Sequence, residues 1–490
     1  MRSALWNRAG LYLFVAVWLV YSVCPPFLSY DSYWTTATAV SLIEHGTTMV
    51  DRFAPGAPAA AAYGLECVPP EGAPRKHAWP DGCPAGGHWY NFYFPGTAVL
   101  AAPVMLLMKV AVTLIGPLAP RTGFFARAEV SAFLAGDLLR GRPLTELWCA
   151  STFGALAAWT QYHIALRFLD RAAALALALL FAFGTAEWSV ASRNLYPHGL
   201  TVLLVSGALW CLLKSGTDGS PERIRKRDVH SAIGSTALPG RRRAPWDTLV
   251  SPQCAEQDPR AFGWAGLLLA LSFTVRPSNA IVCAAIAAWV AIHRRKHLAR
   301  FVLWAAPVAA VFFGYYAWAR HGLLPLYVKA AIEPISPLEG AAMYLFSPSR
   351  GLLIYMPLTV VSLAGAAAAW RRRWQYPLSR YLIAAAAIES CLIFGAWQGH
   401  GFGPRYFADL TPLFLLFLIP AIQRWRETRG GLRRALAAGF LVLAAWGVFT
   451  NARGATSIAA NQWSALPRDV NTATWRVWDW SDPQFLRGLK

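Results

Sequence analysis

The sequence predicts an all-α, polytopic integral membrane protein with about 11–12 transmembrane helices and juxtamembrane helices on its outer face. Three observations predict it. Hydrophobic residues make up 56% of the 490 positions and charged residues only 14%, a balance that leaves too little polar surface for a soluble chain of this size. Many separate runs approach the roughly 20 apolar residues that cover a bilayer. The 45 Lys and Arg that give a net charge of +20 gather at the ends of those runs, as cytoplasmic loops require. The charge therefore points to membrane topology and anionic headgroups, not to nucleic acid.

Arg2 and Arg8 place the N-terminus in the cytoplasm. The run over residues 10–28 reads as a retained anchor: it has no small-residue cleavage pattern and ends on Cys24, Pro25, Pro26 and Phe27. Residues 30–93 follow as the first outer loop and hold the first acidic residue of the chain, Asp31, at the water interface. Tyr33, Trp34, Ala37, Val40 and Leu42 alternate with Thr35, Thr36, Thr38 and Ser41, which predicts an interfacial helix over residues 32–45. Of the eight cysteines, Cys24, Cys149, Cys211, Cys283 and Cys391 lie in or beside apolar segments, where a thiol behaves as a small hydrophobe. Cys67 and Cys83 lie in the polar loop, and their spacing closes a modest disulfide ring on an oxidising side. Zinc ligation with His77 and His88 matches no zinc spacing.

Residues 94–116 are long and apolar enough to cross a membrane, but they begin with Phe94, Pro95 and Gly96 and contain Pro103 and Lys109. A short amphipathic helix is expected within residues 124–139. The strongly basic segments 214–260, 293–300, 371–380 and 424–434 share the cytoplasmic side. Counting back from them leaves residues 117–146 outside, so with a cytoplasmic N-terminus residues 94–116 read as re-entrant or obliquely inserted. The alternative is an outer N-terminus, against its two arginines. Residues 214–260, rich in Gly, Ser, Pro and Arg, read as a cytoplasmic linker and residues 320–350 as a second outer loop. Residues 1–450 form the transmembrane module, and residues 451–490 a short outer tail.

On the outer side this topology gathers Asp31, Tyr93, His198, Arg276, Lys329, Arg350, His400, Arg405 and Tyr406. Ser347-Pro348-Ser349-Arg350-Gly351 sets an arginine at a helix mouth, where a guanidinium meets an anion held by backbone amides. Gln398-Gly399-His400-Gly401-Phe402-Gly403-Pro404-Arg405-Tyr406 sets another after glycines that admit close approach of a ligand. Both favour phosphate.

With Asp31 just after the first span, Trp89-Tyr90-Asn91-Phe92-Tyr93-Phe94-Pro95-Gly96 and Arg276-Pro277, these turns resemble the type C glycosyltransferases. Those membrane enzymes use polyprenyl-phosphate sugars and include protein O-mannosyltransferases and aminoarabinose transferases. The likeness is spread over most of the chain. It implies sugar transfer, with inversion, from a polyprenyl-phosphate donor to an envelope glycan, lipid or protein. Asp31 would be the catalytic base, Arg350, Arg405 and Lys329 the ligands of the donor phosphate, and Tyr93, His198, Tyr406 and His400 the substrate contacts. The chain departs from the family where many members carry a second acidic residue in the next outer loop: here stand Asn194-Leu195-Tyr196-Pro197-His198, with Glu187 upstream. No metal site or other cofactor is indicated, although a divalent ion is compatible with the family. Membrane lipids are the remaining partners, and the bacterial inner membrane, with the site on its periplasmic face, is the expected location. A transporter or flippase of a lipid-linked sugar is the alternative, but no inverted repeat with paired broken helices is visible.

Overall fold

The computed structural model describes residues 8–70, 76–77, 82–120, 122–213, 258–324, 326–328 and 334–489. Helices α1 (Arg8–Ser22) and α2 (Tyr30–His45) lead into strands β1 (Leu65–Val68), β2 (Lys76–His77) and β3 (His88–Asn91). Then come α3 (Gly96–Ile115), α4 (Ala128–Leu134), α5 (Arg142–Ala165), α6 (Arg171–Gly184) and α7 (Pro197–Leu213). The rest is α8 (Pro259–Val275), α9 (Ala280–His293), α10 (Leu298–Arg320), α11 (Pro337–Phe346), α12 (Leu352–Tyr355), α13 (Thr359–Arg372), α14 (Leu378–Phe394), α15 (Thr411–Glu427), α16 (Gly430–Thr456) and α17 (Ile458–Gln462). The molecule is an all-α polytopic membrane protein carrying one small three-stranded sheet, in the order β2-β1-β3.

Among the described residues, four helical segments have both the length and the apolarity to cross a bilayer: Gly96–Leu118, Arg295–Arg320, Arg405–Glu427 and Gly430–Thr456. Five shorter helices, among them α1, α6, α7 and α8, are apolar but span only 10–17 residues. The sequence suggests more full-length spans because its apolar runs continue through turns. Pro357 parts α12 from α13, and Arg276-Pro277 parts α8 from α9. The segment around α15 is the central one, with 72% of its apolar window buried against 17% for that of α16. Leu413, Leu415, Leu416, Phe417 and Leu418 are enclosed by neighbours, whereas Leu441 and Val442 of α16 stay exposed, as lipid contact requires.

Helices α1 and α5 are antiparallel: Gly10 lies against Trp159 and His163, Trp18 Nε1 donates to Thr152 Oγ1 at 3.1 Å, and Arg142 Nη2 donates to the Ser29 carbonyl at 2.7 Å. The chain between them thus leaves and rejoins the bundle at one end. Helix α3 belongs to this excursion and runs beside α2, with Lys109 on Glu44 at 2.5 Å. Its free face carries Leu106, Leu107, Val110 and Leu114. Helix α2 does not lie on a surface: Trp34, Thr36, Ala37, Ala39 and Ser41 are all buried. The segment expected to be helical within 124–139 is α-helical over Ala128–Leu134, after a 3-10 turn at Gly123–Ala126.

The tail is docked, not free, and residue 450, the boundary expected from the sequence, falls inside α16. Buried Gln484 accepts from Gly403 N at 3.1 Å and donates to the carbonyls of Gly401 at 2.9 Å and Ala460 at 3.1 Å. Arg453 holds the carbonyls of Phe485 and Arg487 at 3.1 and 2.6 Å.

Candidate active site

Helix α2 begins where it does because Ser29 caps it, accepting from Asp31 N at 3.2 Å. Tyr196 Oη lies 2.7 Å from Ser29 Oγ. Buried Glu146 accepts from Ser32 at 2.6 Å and Thr36 at 2.8 Å and pairs with Arg142 at 2.8 Å, so the first turn of α2 is fixed on both faces. Asp31 therefore sits in that first turn, where the helix dipole favours a carboxylate.

The sheet delivers its partners. Antiparallel pairing sets Leu65 opposite Asn91 and continues with Phe92 N donating to the Gly64 carbonyl at 2.9 Å, so Tyr63 and Tyr93 emerge side by side. Tyr93 Oη donates to Asp31 Oδ1 at 3.0 Å, and Tyr63 Oη donates to the same oxygen. Burial, and then the Asp31 charge, hold both phenols well above their ordinary range, so they remain proton donors. The Cys67–Cys83 disulfide, with Cα atoms 5.6 Å apart, braces β1. A fully buried ion pair, Arg320 to Glu66 at 2.8 Å, fastens β1 to α10, and the same guanidinium covers the Tyr90 ring at 4.1 Å.

The opposite wall is one six-residue 3-10 turn, Arg405–Leu410, approached through a glycine loop. A side chain on Gly401 (φ +142°) would meet Arg405 Cδ at 2.7 Å, and one on Gly403 (φ +53°) would meet Tyr355 at 2.8 Å, so both backbone shape and space demand glycine. Arg405 lies 3.7 Å from Asp31 Oδ2 and packs over Tyr196 and Tyr406 at 5.5 and 5.4 Å. Its Nε is buried with no hydrogen-bond partner. Asp409, on the same turn, pairs with His198 Nδ1 at 2.8 Å and Arg276 Nε at 3.1 Å.

These walls enclose a cavity of about 360 Å³. Asp31, Tyr93, His198, Arg405 and Tyr406 line it together with Arg276, Trp397 and Asn471. Arg350 does not line it: the guanidinium is buried elsewhere, donating to Ser349 O and Gln484 Oε1 at 2.8 Å, Gly399 O at 3.0 Å and Ser464 Oγ at 3.2 Å. His400 also turns away, with Nε2 2.7 Å from Asp469 of the tail. Lys329 and His77 lie outside the residues whose side chains are described. Of the two residues weighed for the second acidic position, His198 reaches the cavity. Glu187 is buried off its lining, neither oxygen finding a hydrogen-bond partner among the described residues. Sequence reasoning missed Tyr63, Tyr196, Asp409 and Asn471; only the Tyr-rich stretch around residue 93 hinted that phenols would surround Asp31. Among the described residues no three of His, Cys, Asp or Glu come together in metal-holding geometry.

No family model and no curated protein matches this chain. Solved structures do. The archaeal oligosaccharyltransferase AglB from Archaeoglobus fulgidus, in complex with an inhibitory peptide and a dolichol-phosphate, aligns over 96% of this chain and 59% of its own, at 12% identity and a TM-score of 0.48. The apo form of the Archaeoglobus fulgidus oligosaccharyltransferase aligns over 96% and 60%, at 12% identity and a TM-score of 0.45. Its complex with zinc and sulfate aligns over 95% and 57%, at 12% identity and a TM-score of 0.47. The chain thus spans about three-fifths of the length of these proteins.

Proposed function

We propose that this protein is a membrane glycosyltransferase that moves a sugar, with inversion, from a polyprenyl-phosphate donor to a hydroxyl of an envelope acceptor. The observation that carries the reading is the pairing, in one cavity, of the Asp31 carboxylate with the Arg405 guanidinium, whose Nε is buried and finds no hydrogen-bond partner among the described residues. A buried donor left unsatisfied in a cation at a cavity wall calls for an acceptor, and a phosphate oxygen supplies one.

The two oxygens of Asp31 divide the work. Oδ1 is held by two phenols, while among the described residues Oδ2 has only the loose approach of Arg405. Oδ2 is then the atom that takes the acceptor's proton as its oxygen attacks the anomeric carbon. The bond to the phosphate breaks on the opposite face, and Arg405, with Arg276 beside it, stabilises the second negative charge that the leaving phosphate acquires. A second cavity of about 280 Å³, lined by Leu269, Phe273, Ala287, Ala305 and Phe312 of α8, α9 and α10, supports a lipid-linked donor. The two linings meet at aromatic rings: Phe94 of the first stacks on Phe312 of the second at 5.6 Å and meets its Phe273 at 6.1 Å. The disulfide in the Asp31 loop supports an oxidising, extracytoplasmic side.

The test is Asp31→Asn, which keeps shape but cannot accept a proton. With labelled polyprenyl-phosphate sugars and envelope acceptors, the purified variant should bind donor and lose transfer by about a hundredfold or more; transfer at the wild-type rate would remove Asp31 from the mechanism.

A further inference from the structure

Asp409, His198 and Arg276 form a single unit at the cavity floor, and of the three the proposed chemistry gives a part only to Arg276. Asp409 is 5% exposed and does not line the cavity, whereas both of its partners do. One carboxylate oxygen meets His198 Nδ1 at 2.8 Å and the other meets Arg276 Nε at 3.1 Å. Arg276 Nη1 in turn lies 2.8 and 3.1 Å from the two ring nitrogens of His198, so guanidinium and imidazole are pressed together by the acid behind them. The three residues come from different elements: His198 from the first turn of α7, Arg276 from the break between α8 and α9, and Asp409 from the turn that also presents Arg405. Arg276 Nη2 keeps no protein partner among the described residues.

We propose that Asp409 is a positioning residue: by holding Arg276 and His198 at once, it fixes the direction in which Arg276 presents its free Nη2 to the donor's phosphate. This inference rests on the glycosyltransferase reading above. The physical reason is that a free arginine side chain samples many rotamers, and a carboxylate contact at Nε removes that freedom before the ligand arrives. It also links the two arginines of the cavity, because Asp409 and Arg405 share one rigid turn.

The experiment uses the full chain in lipid nanodiscs and polyprenyl phosphate without sugar as the probe. Asp409→Asn should weaken probe binding about tenfold and raise the KM for donor similarly, leaving the KM for acceptor unchanged. Arg276→Ala should do the same, and the double variant should be no weaker than Arg276→Ala alone. Asp409→Glu should restore part of the binding. A merely structural role would instead lower the amount of active enzyme while leaving the donor KM of the active fraction intact; that result, or losses that add in the double variant, would overturn the proposal. Nitrogen-15 spectra of His198 give an independent readout: the ring should be held in one state in the wild type and released in Asp409→Asn, and an unchanged signal would also overturn it. If wild-type protein binds no polyprenyl phosphate, the donor reading itself fails, and the His198 signal still reports whether Asp409 holds the ring.

Discussion

Two buried charges make separable predictions at the scale of the residue. Burial, with a smaller contribution from the Asp409 charge, pushes the Glu187 carboxyl from its ordinary 4.5 up to about 8. The folded protein therefore keeps a proton that the unfolded chain releases near pH 4.5, so stability is full below that pH and declines as pH rises toward 8. Melting temperature in detergent should fall over this window in the wild type, and Glu187→Gln should flatten the fall; parallel curves would refute the assignment. Arg350 does not line the cavity, and its guanidinium has four hydrogen-bond partners, two of them, Ser464 and Gln484, in the docked tail. Arg350→Ala should cost about 2–4 kcal/mol through the buried acceptors it abandons, lowering yield and melting temperature, while the donor KM of surviving enzyme stays unchanged. The sequence made Arg350 and Arg405 look alike, an arginine after a small-residue turn in each case. What separates them is Gln484, 134 positions from Arg350 along the chain, and no local pattern records it.

The informative unit among the elements is the disulfide-braced sheet. Its central strand, β1, is tied to α10 through Arg320 and Glu66, and its open end supplies the two phenols on Asp31. Replacing both Cys67 and Cys83 by Ser should leave the transmembrane bundle folded yet lower kcat several-fold, because Tyr63 and Tyr93 would lose their common register. A double variant with wild-type turnover would show that pairing at Leu65–Asn91 suffices. The cysteine pair was legible because both thiols stood apart from apolar sequence, and Asp31 because it was the first acid beyond a span. The strands were not: β1 and β3 are four residues each, too short for alternation to be read, and they pair across residues that intervene in the chain. Helix α2 misled for a related reason, since its threonines and serines suit an interface as well as they suit buried Glu146, whose need for donors appears only in three dimensions.

For the whole molecule, the alternation of basic segments predicts an orientation. A single cysteine at Ser336, which is exposed, should react with an impermeant reagent from the outside of intact cells once Cys391 is replaced, whereas one at Ser235, outside the described residues, should not; the reverse pattern would invert the protein and its site. Composition sufficed for the all-α membrane class because the bilayer accepts so few alternatives. It could not give the assembly of the cavity, whose walls come from chain positions near 31, 93, 198, 276, 405 and 471. That scatter has a consequence for how the protein is made. Gln484 secures the glycine loop that carries Arg405, and Asn471 accepts from Trp397 at 2.9 Å beside it, so the cavity stays open on one side until the ribosome has passed both. A chain still being translated already contains Asp31 before residues 471 and 484 exist to complete the cavity and its support.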